Sequence, residues 1–203
     1  GFSYPQAVEH LRAILDIEGI AHATFIGQSM GGFIAQAFLA QNPAYGDGFI
    51  GVDTCPLGEG YYTKSDRWWL THVEPLARWY PLGLLRRGIE QACARTAWAK
   101  ANMRAILAPY SKDELCCLMG YGFGGFFTIN RDMTLPCDTL LLLGEHDRTG
   151  KVRAYNDAWH ARTGYPLVIV KDAAHNANAD QPAFVNAQIE AFVSRQQKNG
   201  QLS

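Results

Sequence analysis

The chain is poor in several things, and each shortage removes a class of function. Charged side chains make up only 18% of its 203 residues, and the 18 basic and 19 acidic groups nearly cancel to a net charge of −1. The longest like-charge cluster is the pair Arg86 and Arg87. No basic face able to release counterions from a phosphate backbone is present, so nucleic acid is not an expected partner. The five cysteines are odd in number and include no C-x-x-C spacing. They read as free thiols in a reducing compartment, behaving as small apolar side chains, not as a disulfide framework. No apolar run reaches the length of a membrane span, and no charged-then-apolar leader opens the sequence. The expectation is a cytoplasmic protein with no membrane partner. Internal repeats and low-complexity tracts are also missing.

What is present is a globular composition, with 48% hydrophobic residues and a length that suits one domain. Ser3 and Gln6 have capping-box spacing, and Ala7, Val8, Leu11, Ile14 and Leu15 follow at helical intervals until Gly19. A short apolar run from His22 to Ile26 ends at Gly27. Residues from Met30 to Gln41 are then apolar nearly all round, as in a buried helix. Three further apolar runs, 48–52, 139–143 and 167–170, lack strict alternation, which predicts strands of a parallel sheet covered on both faces. A helical pattern from Val152 to His160 separates the last two. A final helix begins at Pro182, carries Val185, Ile189 and Phe192 on one face, and precedes the polar tail "QQKNGQLS".

The segment from Leu57 to Arg131 shows no strand pattern and holds half of the chain's aromatic side chains, including Trp68, Trp69, Trp79 and Trp98. It reads as a helical insertion whose aromatics mostly pack its own core. Trp68 and Trp69 are the candidates for substrate contact.

Chemistry is suggested by "FIGQSMGGF", where Ser29 stands between Gly27 and Gly31 at a strand-to-helix turn. A serine hydroxyl needs a base in hydrogen-bond reach and a third group to orient that base. Ligands of parallel sheets gather beyond the carboxyl ends of the strands. Two segments follow strand runs directly there: "GEHD", ending in Asp147, and "AAHN", containing His175.

This constellation resembles the α/β-hydrolase family: a G-x-S-x-G turn, an acid after a later strand and a histidine after the last. The segments "LLLGEHD" and "AAHNANADQPAFVNAQIEAFV" are likewise similar to that family's acid and histidine segments. The resemblance implies Ser29 as nucleophile, His175 as general base and then acid, and Asp147 as its orienting group. It implies the Met30 backbone N–H as one oxyanion donor, and tight packing that keeps Gly27 and Gly31 small. Asp53, directly after a strand, is a reserve acid. Gln28 shapes the turn and is a candidate substrate contact. Asn176, Asn178 and Asp180 build the loop and cap the last helix. A metal site from Glu145, His146 and His175 is not expected, because the spacing lacks any H-x-H or H-x-x-x-H pair.

The fold implied is α/β, a mostly parallel sheet with flanking helices and a helical lid. Residues 1–56 would form the nucleophile-bearing core, 57–133 the lid and 134–203 the rest of the core. The family carries about four more strands before the nucleophile, and its second oxyanion donor comes from a loop there. The expectation is therefore an N-terminally truncated chain, with "GFS" as the end of a loop. The function implied is cofactor-free cleavage of a small or medium apolar ester through an acyl-enzyme. Carbon–carbon bond hydrolysis and enol-lactone hydrolysis are the alternatives within the fold. A non-catalytic ligand binder or inactive fragment is the alternative outside it.

Overall fold

The computed structural model describes residues 3–200; Gly1, Phe2 and residues 201–203, including two of the "GFS" residues, lie outside it. Helix α1 (Tyr4–Ile17) starts where expected: the Ser3 hydroxyl accepts from the Gln6 N–H, and Gly19 leaves the helix at φ +66°. Strand β1 (Ala23–Gln28) runs two residues past the expected stop, since Gly27 and Gln28 still pair with Gly51 and Val52. Helix α2 (Met30–Gln41) follows after Ser29 alone, and β2 (Gly46–Val52) lies parallel to β1.

Five helices then succeed one another without a strand: α3 (Lys64–Thr71), α4 (Val73–Ala77), α5 (Leu82–Cys93), α6 (Ala97–Leu107) and α7 (Lys112–Phe123). Side-chain caps at Thr63, Thr96 and Ser111 set the starts of α3, α6 and α7. The chain returns to the sheet with β3 (Asp138–Gly144), α8 (Val152–Thr163) and β4 (Leu167–Val170). It ends with the short α9 (Ala177–Asp180) and α10 (Pro182–Gly200). The sheet is wholly parallel, in the order β1-β2-β3-β4. Among the described residues no helix is long and apolar enough to cross a membrane.

Alternate residues of each strand face opposite layers. Phe25, Phe49 and Leu141 join Phe38 of α2 and Trp159 of α8 in one core. Ile50, Val52, Leu140 and Leu142 join Val185 and Phe192 of α10 in the other. Full burial of each such side chain contributes about 1.5–3 kcal/mol. The expectation of strands covered on both faces holds for β2 and β3 but less for β4, where Leu167, Val168 and Ile169 are only partly buried; on β1, Ile26 is 48% exposed. The helical layer on that side is α10, which packs on β2.

Two readings of the C-terminal and helical segments are corrected. The polar tail is helix up to Gly200, and Gln196 within it accepts from the Thr24 hydroxyl at 2.7 Å and donates to the Asp47 carbonyl. A polar residue there fastens the helix to the sheet instead of fraying. The tryptophans of the helical segment do not pack its interior: Trp68, Trp69, Trp79 and Trp98 are all at least half exposed. Its buried positions go to smaller apolar side chains such as Leu85, Leu107 and Leu115, with Tyr62 and Phe126 packed toward the sheet.

Candidate active site

Ser29 is the single residue between β1 and α2, and it is held at φ +48°, ψ −117°. A non-glycine residue in that region is strained, so the surroundings must fix it. They do: its N–H donates to Val52 O at 2.9 Å, while its carbonyl accepts from the Thr54 hydroxyl at 2.7 Å and the Gly32 N–H at 2.9 Å. The turn is close enough that a Cβ on Gly27 would stand 2.5 Å from Gly32 Cα. Gly31, expected to be crowded as well, has open space at its Cβ position. The crowded helical glycine is Gly32, whose Cβ would overlap the Thr54 side chain.

His175 lies in the loop after β4, and Asp147 in the turn after β3. The imidazole Nε2 is 2.8 Å from Ser29 Oγ, and Nδ1 is 2.8 Å from Asp147 Oδ2. The other Asp147 oxygen accepts from the Thr149 N–H at 2.9 Å. With Nδ1 protonated toward the carboxylate, Nε2 is left as an acceptor for the serine proton. Burial alone would lower the His175 pKa, but the hydrogen bond and charge of Asp147, with the charge of Asp53, hold it above the ordinary histidine value. The structure thus brings together three residues that lie far apart in sequence.

The histidine loop is fastened at successive backbone groups. Asp180 accepts from Ala174 N–H, Gln28 donates its amide to His175 O at 3.0 Å, and Asn176 N–H donates to Cys93 O at 2.8 Å. Gln28 also reaches the Asn176 side chain at 3.2 Å, so it braces the histidine loop in addition to standing on the cavity wall. Asp180 further accepts from Arg95 and Thr96 N–H at 2.8–3.1 Å, tying the joint between α5 and α6 to the same loop.

Asp53 does not contact the imidazole as an acid would. Its oxygens accept from Gly144 N–H at 2.7 Å and Ala177 N–H at 2.9 Å, so Asp147 alone holds Nδ1. Glu145 and His146 gather with Asp172 and not with His175, and the Asp172 N–H already occupies a Glu145 oxygen at 3.1 Å.

Above Ser29 lies a cavity of about 580 Å³ roofed by α5, α6 and α7. Ile89, Met103, Leu107, Leu115 and Met119 line it from that side and Phe33 and Phe126 from the core. The Met30 N–H stands at the first turn of α2, where helical amides lack intrahelical partners and the helix dipole favours negative charge. Trp68 and Trp69 do not line this cavity; they sit on the outer surface of α3, with Trp68 stacked on His72. Lys151 does line it, held 2.6 Å from Asp66 of α3, and no sequence pattern singled out that pair.

A family model described as "Alpha/beta hydrolase family" matches residues 1–188. The chain belongs to the alpha/beta hydrolase family. No curated protein matches it. Among solved structures it is similar to a carboxylesterase of Nitrososphaera gargenis, at 17% identity and a TM-score of 0.69, covering 98% of this chain and 74% of that one. It is also similar to Est816, described as an N-acyl homoserine lactone degrading enzyme, at 21% identity and a TM-score of 0.73 over 95% of this chain and 75% of the other. A putative non-heme bromoperoxidase of Mycobacterium tuberculosis H37Rv matches at 17% identity and a TM-score of 0.67, over 97% and 75%. At these identities the likeness carries the alpha/beta hydrolase fold.

Proposed function

We propose that this alpha/beta hydrolase is a serine hydrolase that cleaves small or medium apolar carboxylic esters, with α3–α7 as the lid over its acyl pocket. The observation that carries the reading is the unbroken relay from Ser29 Oγ through His175 to Asp147 at the base of an apolar cavity.

In the mechanism, Ser29 Oγ attacks the ester carbonyl as its proton passes to His175 Nε2, and Asp147 stabilises the imidazolium that forms. The Met30 N–H donates to the developing oxyanion. Collapse of the tetrahedral adduct expels the alcohol, which takes the proton from Nε2 and leaves an acyl-serine. Water then repeats the sequence, giving the carboxylic acid and free Ser29. Every step is proton transfer or acyl transfer, so no redox or electrophilic cofactor is called for. The aliphatic walls favour an apolar acyl chain through burial of about 0.8 kcal/mol per methylene.

The test is labelling with a fluorophosphonate probe together with turnover of p-nitrophenyl esters of graded chain length. The expected result is one label per chain, lost in Ser29→Ala, with turnover falling at least about 10³-fold in that variant. A protein that binds these esters but neither labels nor cleaves them would be a ligand-binding member of the fold. Adding a lactone series and a vinylogous diketone separates ester cleavage from the lactone and carbon–carbon alternatives.

A further inference from the structure

We infer that Asp53 is a positioning residue of this site, whose carboxylate clamps the Asp147 turn and the His175 loop to each other. The role rests on the proposed ester chemistry. It is distinct from that of a proton-accepting or nucleophilic group.

The geometry is that of a bridge. Asp53 follows β2 directly, is 1% exposed, and is held at φ +48°, a conformation that costs a non-glycine residue about 1–2 kcal/mol. Its own N–H donates to Leu142 O on β3 at 2.9 Å. One carboxylate oxygen accepts from Gly144, three residues before Asp147, and the other from Ala177, two residues after His175. Both ends of the Asp147–His175 hydrogen bond are therefore fastened, through short backbone stretches, to a single side chain. A shift of either loop would lengthen that bond or move Nε2 away from Ser29. Misplacement by about 1 Å can cost about a hundredfold in rate.

The bridge needs the ionised form. Each oxygen already faces an N–H donor, so a proton on either one would compete with a clamp bond. Four titratable groups face Asp53: His175 from the loop after β4, Asp147 from the turn after β3, Cys55 from its own loop and Cys93 from the end of α5. Burial pushes the Asp53 carboxyl up to about 7, against the pull of His175 and the two backbone N–H groups and with a contribution from Asp147. Protonation thus falls in the range where such an enzyme works. Activity should require a neutral His175 and an ionised Asp53 together, so the acid side of the profile should involve two protons.

The test compares the wild type with Asp53→Asn, in which the amide oxygen keeps one clamp bond and the amide nitrogen faces the other donor. The expected outcome is a kcat lower by about ten- to a hundredfold with KM within about twofold. The acid limb of kcat/KM should change from a two-proton to a one-proton slope. An unchanged kcat in the folded variant, or a one-proton limb in the wild type, would overturn the inference. If Asp53→Asn does not fold, the wild-type slope still decides. A readout independent of turnover is the low-field proton NMR signal of the His175 Nδ1–H. It should weaken in wild type as pH falls through neutrality, and be weak at all pH in the variant. A signal indifferent to Asp53 sinks the clamp even in a protein that cleaves esters. A signal that responds in a protein that cleaves none sinks only the ester reading.

Discussion

Two adjacent glycines at the start of α2 face opposite fates. Gly32→Ala drives a methyl group into Thr54, the residue whose hydroxyl holds the Ser29 carbonyl, and should cost about 1–3 kcal/mol along with activity. Gly31→Ala meets open space and should be neutral or stabilising by up to about 1 kcal/mol through helix propensity. Chemical denaturation of the two variants measures both. His175 gives a second prediction at this scale. Because its pKa is raised, the imidazole stays protonated, and unable to accept the serine proton, to a pH above the ordinary histidine midpoint. The kcat/KM profile should therefore rise with pH through a midpoint above about 6.5, and Asp147→Asn should move that midpoint down while cutting turnover. The glycine spacing around Ser29 was legible in the sequence, and so was the chain order of serine, acid and histidine. Which helical glycine is crowded was not, since Thr54 arrives from beyond the following strand.

At the scale of elements, the short apolar runs were readable as parallel strands because two helical layers make both faces of β2 and β3 apolar. The helical segment was readable from its lack of any strand pattern. Its tryptophans misled, because an aromatic at a helical position looks the same in sequence whether it meets solvent or a cavity. The roof of the cavity is instead mostly leucine, isoleucine and methionine, residues with no chemical signal to distinguish wall from core, with Tyr110 and Phe123 beside them. Asp180 was readable only as a loop and capping residue. In the fold it receives three backbone N–H groups, from Ala174, Arg95 and Thr96. Asp180→Ala leaves these donors unpartnered, at about 1–3 kcal/mol each when buried. Only the Ala174 donor is buried, so thermal unfolding should show a loss of at least about 1 kcal/mol, and turnover measured well below the new midpoint should fall as well, because the loop bearing His175 loses its anchor. A stability loss with full turnover per folded molecule would show that the remaining bonds suffice.

For the whole molecule, the proposed ester chemistry would have its specificity set where the two layers of architecture meet. On that reading the nucleophile would come from the edge of the sheet and the acyl walls from α5–α7, so chain-length preference and chemical competence could be altered separately. Met103→Trp, which reduces the 580 Å³ cavity from the side of α6, should shorten the longest p-nitrophenyl ester accepted. It should leave kcat for the acetate within about threefold, as a substitution that touches neither loop of the relay. A uniform loss across all chain lengths would mean that the helical layer does more than shape the pocket.

The shared anchor between the α5–α6 joint and the histidine loop also restricts how such a molecule can breathe. With Cys93 O, Arg95 N–H and Thr96 N–H bonded to residues 176 and 180, that corner of the roof cannot lift without pulling on the strap that presents the imidazole to Ser29. Opening there would interrupt the proton path at the moment of entry. An ester admitted by that route would meet an idle serine until the corner settled back, an interlock in which access and reactivity alternate.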